Sequence, residues 1–196
     1  MTAPRRARQS RAIEKQGQIL DAAVDLIFAE GVQKISHRQV AARAGVPVGS
    51  IGYYYDTREN LLVLAIGELN RRRQRAVAEL WAEEPGKPQT PEATAALLLR
   101  TLVGGEPTDE VLSAWLRILV EGTRESAALR QALAELRDQV YRDLRLFLNE
   151  TGRPDLREAQ VNALVGGAVL VGLAQQNGSV REAVQEILVD LLRSAA

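Results

Sequence analysis

The sequence predicts an all-α chain of 196 residues: an N-terminal three-helix domain joined by one long helix to a larger all-helical domain. Three observations predict it. Ala, Leu, Arg and Glu abound while aromatic residues make up 4%, and those abundant residues lose little conformational freedom in a helix. Apolar residues recur at steps of three and four, and no stretch alternates with period two for long enough to need a strand. Clusters of Gly and Pro separate the periodic stretches.

Residues 1–11 carry no apolar period and are expected to form a flexible basic arm bearing Arg5, Arg6, Arg8 and Arg11. A helical period starts at Ile13 and runs through Leu20, Val24, Ile27 and Phe28, with Gly31 as its stop. Ser36 is an N-cap candidate with Gln39 three residues on, a capping box, and Ile35 and Val40 make a hydrophobic staple around it. The helix 37–44 ends at Gly45. Val46-Pro47 is a turn, because Pro stops one helix and can begin the next. A short helix over 48–54 follows, and Asp56 and Thr57 offer a cap for a long helix over 58–83. Pro85-Gly86-Lys87-Pro88 breaks it. Further helices are expected at 91–103, 108–126, 127–150, 155–176 and 180–193, and the break at Ser126 carries the least punctuation. The clearest stripe is Leu129, Leu133, Leu136, Val140, Leu144 and Leu148. The chain thus divides into an arm (1–11), a small domain (12–57) and a helical domain (58–196).

Composition excludes several chemistries. There is no Cys, so there are no disulfides, thiolate zinc sites or thiol nucleophiles, and the lone His37 excludes multi-histidine metal sites. No cofactor is expected. Formal net charge is zero, but residues 1–60 hold nine basic residues against six acids. A basic end on a neutral chain suits a polyanion. No apolar segment follows the basic N-terminus, so it is not a signal peptide. Residues 159–180 lack charge, yet their unbroken apolar part, 163–174, is too short to span a bilayer. A buried helix in a soluble, cytoplasmic protein is expected there.

Residues 36–54 carry the strongest constellation: a capped short helix, a glycine turn and a second short helix, the layout of a helix-turn-helix. Ala41-Ala42 lets another helix approach, Gly45 supplies a left-handed turn position, and Val40, Val46 and Ile51 can form a small core. The second helix is then free to enter a DNA major groove. The plain alternative is an αα-hairpin in a bundle, but the second helix is short and polar for that role. Enzymatic readings fail. VGSIG lacks the first glycine of a nucleophile elbow, no strand precedes it, and neither a dinucleotide fingerprint nor a P-loop is present.

The run ILDAAVDLIFAEGVQKISHRQVAARAGVPVGSIGYYYDTRENLL, residues 19–62, resembles the N-terminal domain of TetR-type transcriptional repressors. The LDAA opening, AEG at the first helix end, VAARAGV turn, GSI, tyrosine run and capped DTRENLL stand in register. The chain departs from the family pattern at Pro47, Val48 and Gly52, which leaves the fold intact and the base preference open. The resemblance implies that His37 and Arg38 reach the groove, Arg38 as a bidentate guanine donor. Val48, Gly49 and Ser50 would face base edges, and Ser50, Tyr53 and Tyr54 would offer hydroxyls. Arg58 would clamp a phosphate, while Tyr55 would pack in the core. His37 as a solvated first-turn residue, and the arm as a solvated tail, remain open. Arg71, Arg72, Arg73 and Arg75 read as a solvated face or as salt-bridge partners in the C-terminal domain.

By the same resemblance the C-terminal helices would dimerise and sense a ligand. Gly166, Gly167 and Val171, with Ile187 and Leu191, are the expected homodimer interface, with burial inside one protomer as the alternative. Trp81, Leu102, Trp115, Ile118, Tyr141, Phe147 and Asn162 are candidate pocket residues, with plain core as the alternative for each aromatic. The expected function is a homodimeric regulator that binds a palindromic double-stranded DNA operator and is released by a small, mostly apolar effector. The alternatives are an all-helical protein–protein adapter without DNA binding, and an all-α enzyme.

Overall fold

The computed structural model describes residues 3–83, 90–175 and 178–194, with the side chains of residues 3–9 and 11 left aside. These residues form nine helices and no strand: α1 (Ala3–Glu30), α2 (His37–Ala44), α3 (Val48–Tyr54), α4 (Arg58–Glu83), α5 (Pro91–Val103), α6 (Asp109–Gly122), α7 (Ala127–Glu150), α8 (Glu158–Ala174) and α9 (Val180–Ser194). The all-α architecture is therefore as the helical period predicts.

Three expected boundaries need correction. Residues 3–11 belong to α1 rather than to a separate flexible arm. Ala, Arg and Gln are good helix formers, and Pro4 lies in the first turn, where its missing N–H costs nothing. Helix α6 stops at Gly122, not at residue 126. The chain then turns through Arg124 N–H to Glu121 O (3.0 Å) and Glu125 N–H to Gly122 O (3.3 Å). Ser126 caps α7, its Oγ accepting from Leu129 N–H at 3.2 Å. Helix α8 occupies 158–174 of the expected 155–176, because residues 153–156 turn first, with Leu156 N–H on Arg153 O.

Packing divides the chain into two compact units, Met1–Leu69 with Val120–Leu133, and Asn70–Leu119 with Ala134–Ala196. This partition runs within α4, α6 and α7 rather than at residues 57–58. In the first unit α1 packs on α2 and α2 on α3, around Ile19, Ile27, Ile35, Val40, Ile51, Tyr55, Leu61 and Leu62, all essentially inaccessible to water. Full burial of each such aliphatic side chain contributes about 1.5–3 kcal/mol.

In the second unit α9 packs against both α5 and α8. Gly172 permits the α8–α9 approach: a Cβ there would sit 3.0 Å from Val180 Cα. Buried Leu98, Leu102, Leu112, Leu144, Val165, Val169, Leu188 and Leu192 make its core. The expected full burial of α8 is not met within the chain. Val161, Val165, Ala168, Val169 and Gly172 face inward, while Leu170 and Val171 stay 63% and 52% exposed. Among the described residues no helix is long and apolar enough to cross a membrane, and no cluster of three or more potential metal ligands occurs.

Candidate nucleic-acid interface

The motif is built by local rules. Ser36 is extended (φ −137°, ψ 156°), and its Oγ accepts from Gln39 N–H at 3.3 Å while donating to Gln39 Oε1 at 2.7 Å. The cap and its glutamine partner thus bond to each other. Helix α2 closes in a Schellman turn: Gly45 is left-handed (φ 66°, ψ 32°), Val46 N–H reaches Ala41 O at 3.0 Å, and Gly45 N–H points to Ala42 O. Pro47 starts α3 with no side-chain cap, as its ring requires. Ile51 is the one residue of α3 that is fully buried, so it anchors the helix and leaves the opposite side outward.

That outward side carries the expected base-facing residues. Val48 and Tyr53 are 51% and 80% exposed. Gly49 is exposed, with nothing within 4 Å of the place a Cβ would take, and Gly52 is equally open. Exposed apolar side chains on a short helix suit contact with thymine methyls and sugar edges. Ser50 and Tyr54 are half-buried, and the Tyr54 ring meets Tyr53 edge-on with centroids 5.0 Å apart. Arg38 is exposed on the first turn of α2. His37 is half-buried, and its Nε2 is shielded from water without a hydrogen-bond partner. Arg43 pairs with Asp25 at 3.5 Å. The side chains of Arg5, Arg6, Arg8 and Arg11 lie outside the described residues.

Tyr55 closes the motif from inside. It has no exposed surface, and its hydroxyl donates to Gln16 O. Burial first, and the neighbouring Tyr54 second, push its pKa from 10.0 up to about 12, so it stays neutral.

Arg58 corrects an expectation. Instead of facing a phosphate, its guanidinium turns into the first unit. Nε donates to Ile35 O at 2.6 Å, and Nη2 donates to Val32 O at 2.8 Å and to Gln33 O at 3.3 Å. Both terminal nitrogens grip the Glu125 carboxylate, at 2.8 and 3.2 Å. A residue so engaged with three carbonyls and a carboxylate organises the fold. Its position at the start of α4 gave no sign of this, because Glu125 lies 67 residues away. Glu121 and Glu125 were equally hidden, since residues 121–126 read as the end of the helix expected at 108–126.

The second unit holds the candidate pocket and interface residues. Leu102, Ile118 and Phe147 are buried, while Trp81, Trp115, Tyr141 and Asn162 are half-buried. Trp81 Nε1 donates to Thr101 Oγ1 at 3.3 Å, beside Leu102. Arg73 is a buried cation that pairs with Asp143 and donates to Thr101 O at 2.8 Å. Burial pulls its pKa down and Asp143 opposes that. Of the five expected interface positions, Gly167 and Val171 are exposed, and Gly166, Ile187 and Leu191 are half-buried. Both Gly166 and Gly167 have open space above them.

Residues 19–65 match the family model described as bacterial regulatory proteins, tetR family. The chain is 30% identical over 111 residues to an uncharacterized HTH-type transcriptional regulator of Mycobacterium tuberculosis, covering 55% of this chain and 54% of that one. It therefore spans about half the length of that curated relative. It is 23% identical over 150 residues to the HTH-type transcriptional regulator BetI of Escherichia coli, covering 74% of each. Among solved structures, a putative transcriptional regulator from Streptomyces coelicolor A3(2) superposes with TM-score 0.63 at 26% identity, over 93% of this chain and 98% of that one. The multidrug binding protein EbrR complexed with ethidium superposes with TM-score 0.65 at 25% identity, over 92% and 98%.

Proposed function

We propose, from the match of residues 19–65 to the tetR family model, that the chain is a DNA-binding transcriptional regulator, acting as a homodimeric repressor on a palindromic operator. One observation carries the reading: α3 is anchored through Ile51 and presents Val48, Gly49 and Tyr53 outward, behind a fully capped α2 that exposes Arg38. Arg38 donates to a guanine edge, the α3 residues fit the groove, and Ser50, Tyr53 and Tyr54 offer hydroxyls to phosphates or bases. Arg58 holds the motif rather than the DNA.

Two copies meet through the outward apolar side of α8 (Leu164, Gly167, Leu170, Val171) with Ile187 and Leu191 of α9. An apolar helix face of this kind is otherwise left in water, and a two-fold interface places two reading heads one helical turn of DNA apart. The effector is a small, mostly apolar molecule held in the second unit near Trp81, Leu102, Trp115, Ile118, Tyr141, Phe147 and Asn162. The ethidium complex of EbrR supports a small-molecule effector. Such a molecule shifts DNA affinity only by its different affinity for the DNA-competent and DNA-incompetent states. Helix α4, unbroken over a length of ~39 Å, is the proposed lever. Catalysis has no part in this reading. Selection of bound duplexes from a random pool tests it: enrichment of a two-fold symmetric sequence is expected, and an unenriched pool would refute it.

A further inference from the structure

The connection between α1 and α2, residues 31–35, ends at the Ser36 cap and therefore sets where α2 begins. It is held from outside its own sequence neighbourhood. Glu121, in the last turn of α6, accepts from Gln33 N–H at 3.2 Å. Its carboxylate also covers Gly31, whose φ of +88° and lack of a Cβ allow that approach. Glu125, just beyond α6, holds Arg58 with both oxygens, and Arg58 in turn binds the carbonyls of Val32, Gln33 and Ile35. Among the described residues, the polar contacts that tie the connection to distant parts of the chain thus run to Arg58 and to this corner. The corner, residues 120–133, belongs to the same compact unit as the motif. It is itself stiff, with two backbone turn bonds and the Ser126 cap.

We propose that the α6–α7 corner is a positioning element for the reading motif: Glu125 acting through Arg58, and Glu121 acting on Gly31 and Gln33, fix residues 31–35 and so the presentation of α2. The proposal rests on the reading of α2–α3 as the DNA-facing motif. Neither glutamate touches DNA; each acts through the backbone it holds. A phosphate clamp would need Arg58 to abandon its bonds to the Val32, Gln33 and Ile35 carbonyls, two of them part-buried, and the Glu125 carboxylate. Both α6 and α7 continue into residues of the second unit, so whatever shifts either helix at the corner alters the grip on α2.

The test compares the unaltered chain with Glu125→Gln, which keeps size and removes charge, and with Glu125→Asp. Two readouts are used: affinity for a duplex selected by the unaltered chain across a salt series, and amide hydrogen exchange along the chain. Glu125→Gln is expected to weaken binding by about tenfold with an unchanged slope of log K on log salt, because no phosphate contact is lost. Exchange is expected to quicken at residues 33–39 and stay as it was in α5, α8 and α9, with Glu125→Asp between the two. Tighter binding with a steeper slope would overturn the proposal, since Glu125 would then be competing with phosphate for Arg58. Unchanged affinity and exchange, or faster exchange throughout the chain, would also overturn it. If the unaltered chain binds no duplex, the functional reading fails, and local exchange at 33–39 still decides the positioning role.

Discussion

The Tyr55 hydroxyl donates to the Gln16 carbonyl at 3.0 Å, tying the residue that closes α3 to the middle of α1 across 39 positions. Removing this bond while keeping the ring should be cheap but measurable. Tyr55→Phe should lower stability by about 1 kcal/mol, read by urea unfolding. The sign with pH is set by the raised pKa. The stability from keeping Tyr55 neutral is fully present below its ordinary value of 10.0 and is lost as pH rises through about 12. The alkaline loss should therefore be shallower in Tyr55→Phe, and an identical alkaline limb would contradict the assignment.

Asp143 neutralises the buried Arg73 cation, which also meets the carbonyl of Thr101. Asp143→Ala leaves that cation unpaired and should cost about 3–5 kcal/mol. The double replacement Arg73→Met with Asp143→Ala should recover much of it. Equal losses for the single and double variants would show that Arg73 contributes through shape alone.

The helices were legible because their punctuation is local. Ser36, Gly45, Pro47 and Thr57 act on neighbours within a turn, so the bounds of α2 and α3 and the start of α4 follow from reading along the chain. Tyr55 was legible as core through the resemblance. What stayed hidden depends on partners far away in sequence. Arg58 looks like any cation at a helix start until Glu125 and the 31–35 carbonyls surround it. Gly166 and Gly167 look like contact glycines, yet Gly172 makes the close approach within the chain. The first turns of α1 were hidden for another reason: residues 3–11 carry no apolar period to mark a helix.

Asp109 gives an acid-side prediction. From the first turn of α6 its carboxylate accepts from Arg181 N–H at 2.7 Å, Ser179 Oγ at 2.9 Å and Val180 N–H at 3.1 Å, capping α9. The Arg181 amide bond foremost holds its pKa below the ordinary 3.8; burial opposes this, and the Ser179 and Val180 bonds and the Arg181 charge add to the lowering. A depressed folded value means the contribution is fully present above 3.8 and is lost as pH falls from there through the lower folded value. Asp109→Asn should be less stable at neutral pH and show a flatter decline below that value. An unaltered acid limb would contradict the capping role.

Gly167 gives a clean probe of the proposed interface. Nothing lies within 4 Å of its absent Cβ, so Gly167→Leu should leave the protomer's helicity and second-unit core intact. A seam that fits a glycine does not accept leucine cheaply. Sedimentation should show a dimer in the unaltered chain and mainly monomer in the variant. A dimer in both would move the interface elsewhere.

The central claim is that the outward side of the motif reads DNA bases. The most direct measurement is the affinity of the unaltered chain and of Arg38→Ala for a selected duplex, and for that duplex changed at single base pairs, across a salt series. Affinity is expected to fall linearly on a log–log salt plot. Arg38→Ala should lose about 1–3 kcal/mol on the selected duplex and become indifferent to the base at one position. Binding without salt dependence, or equal losses for Arg38→Ala on selected and random duplexes, would contradict it.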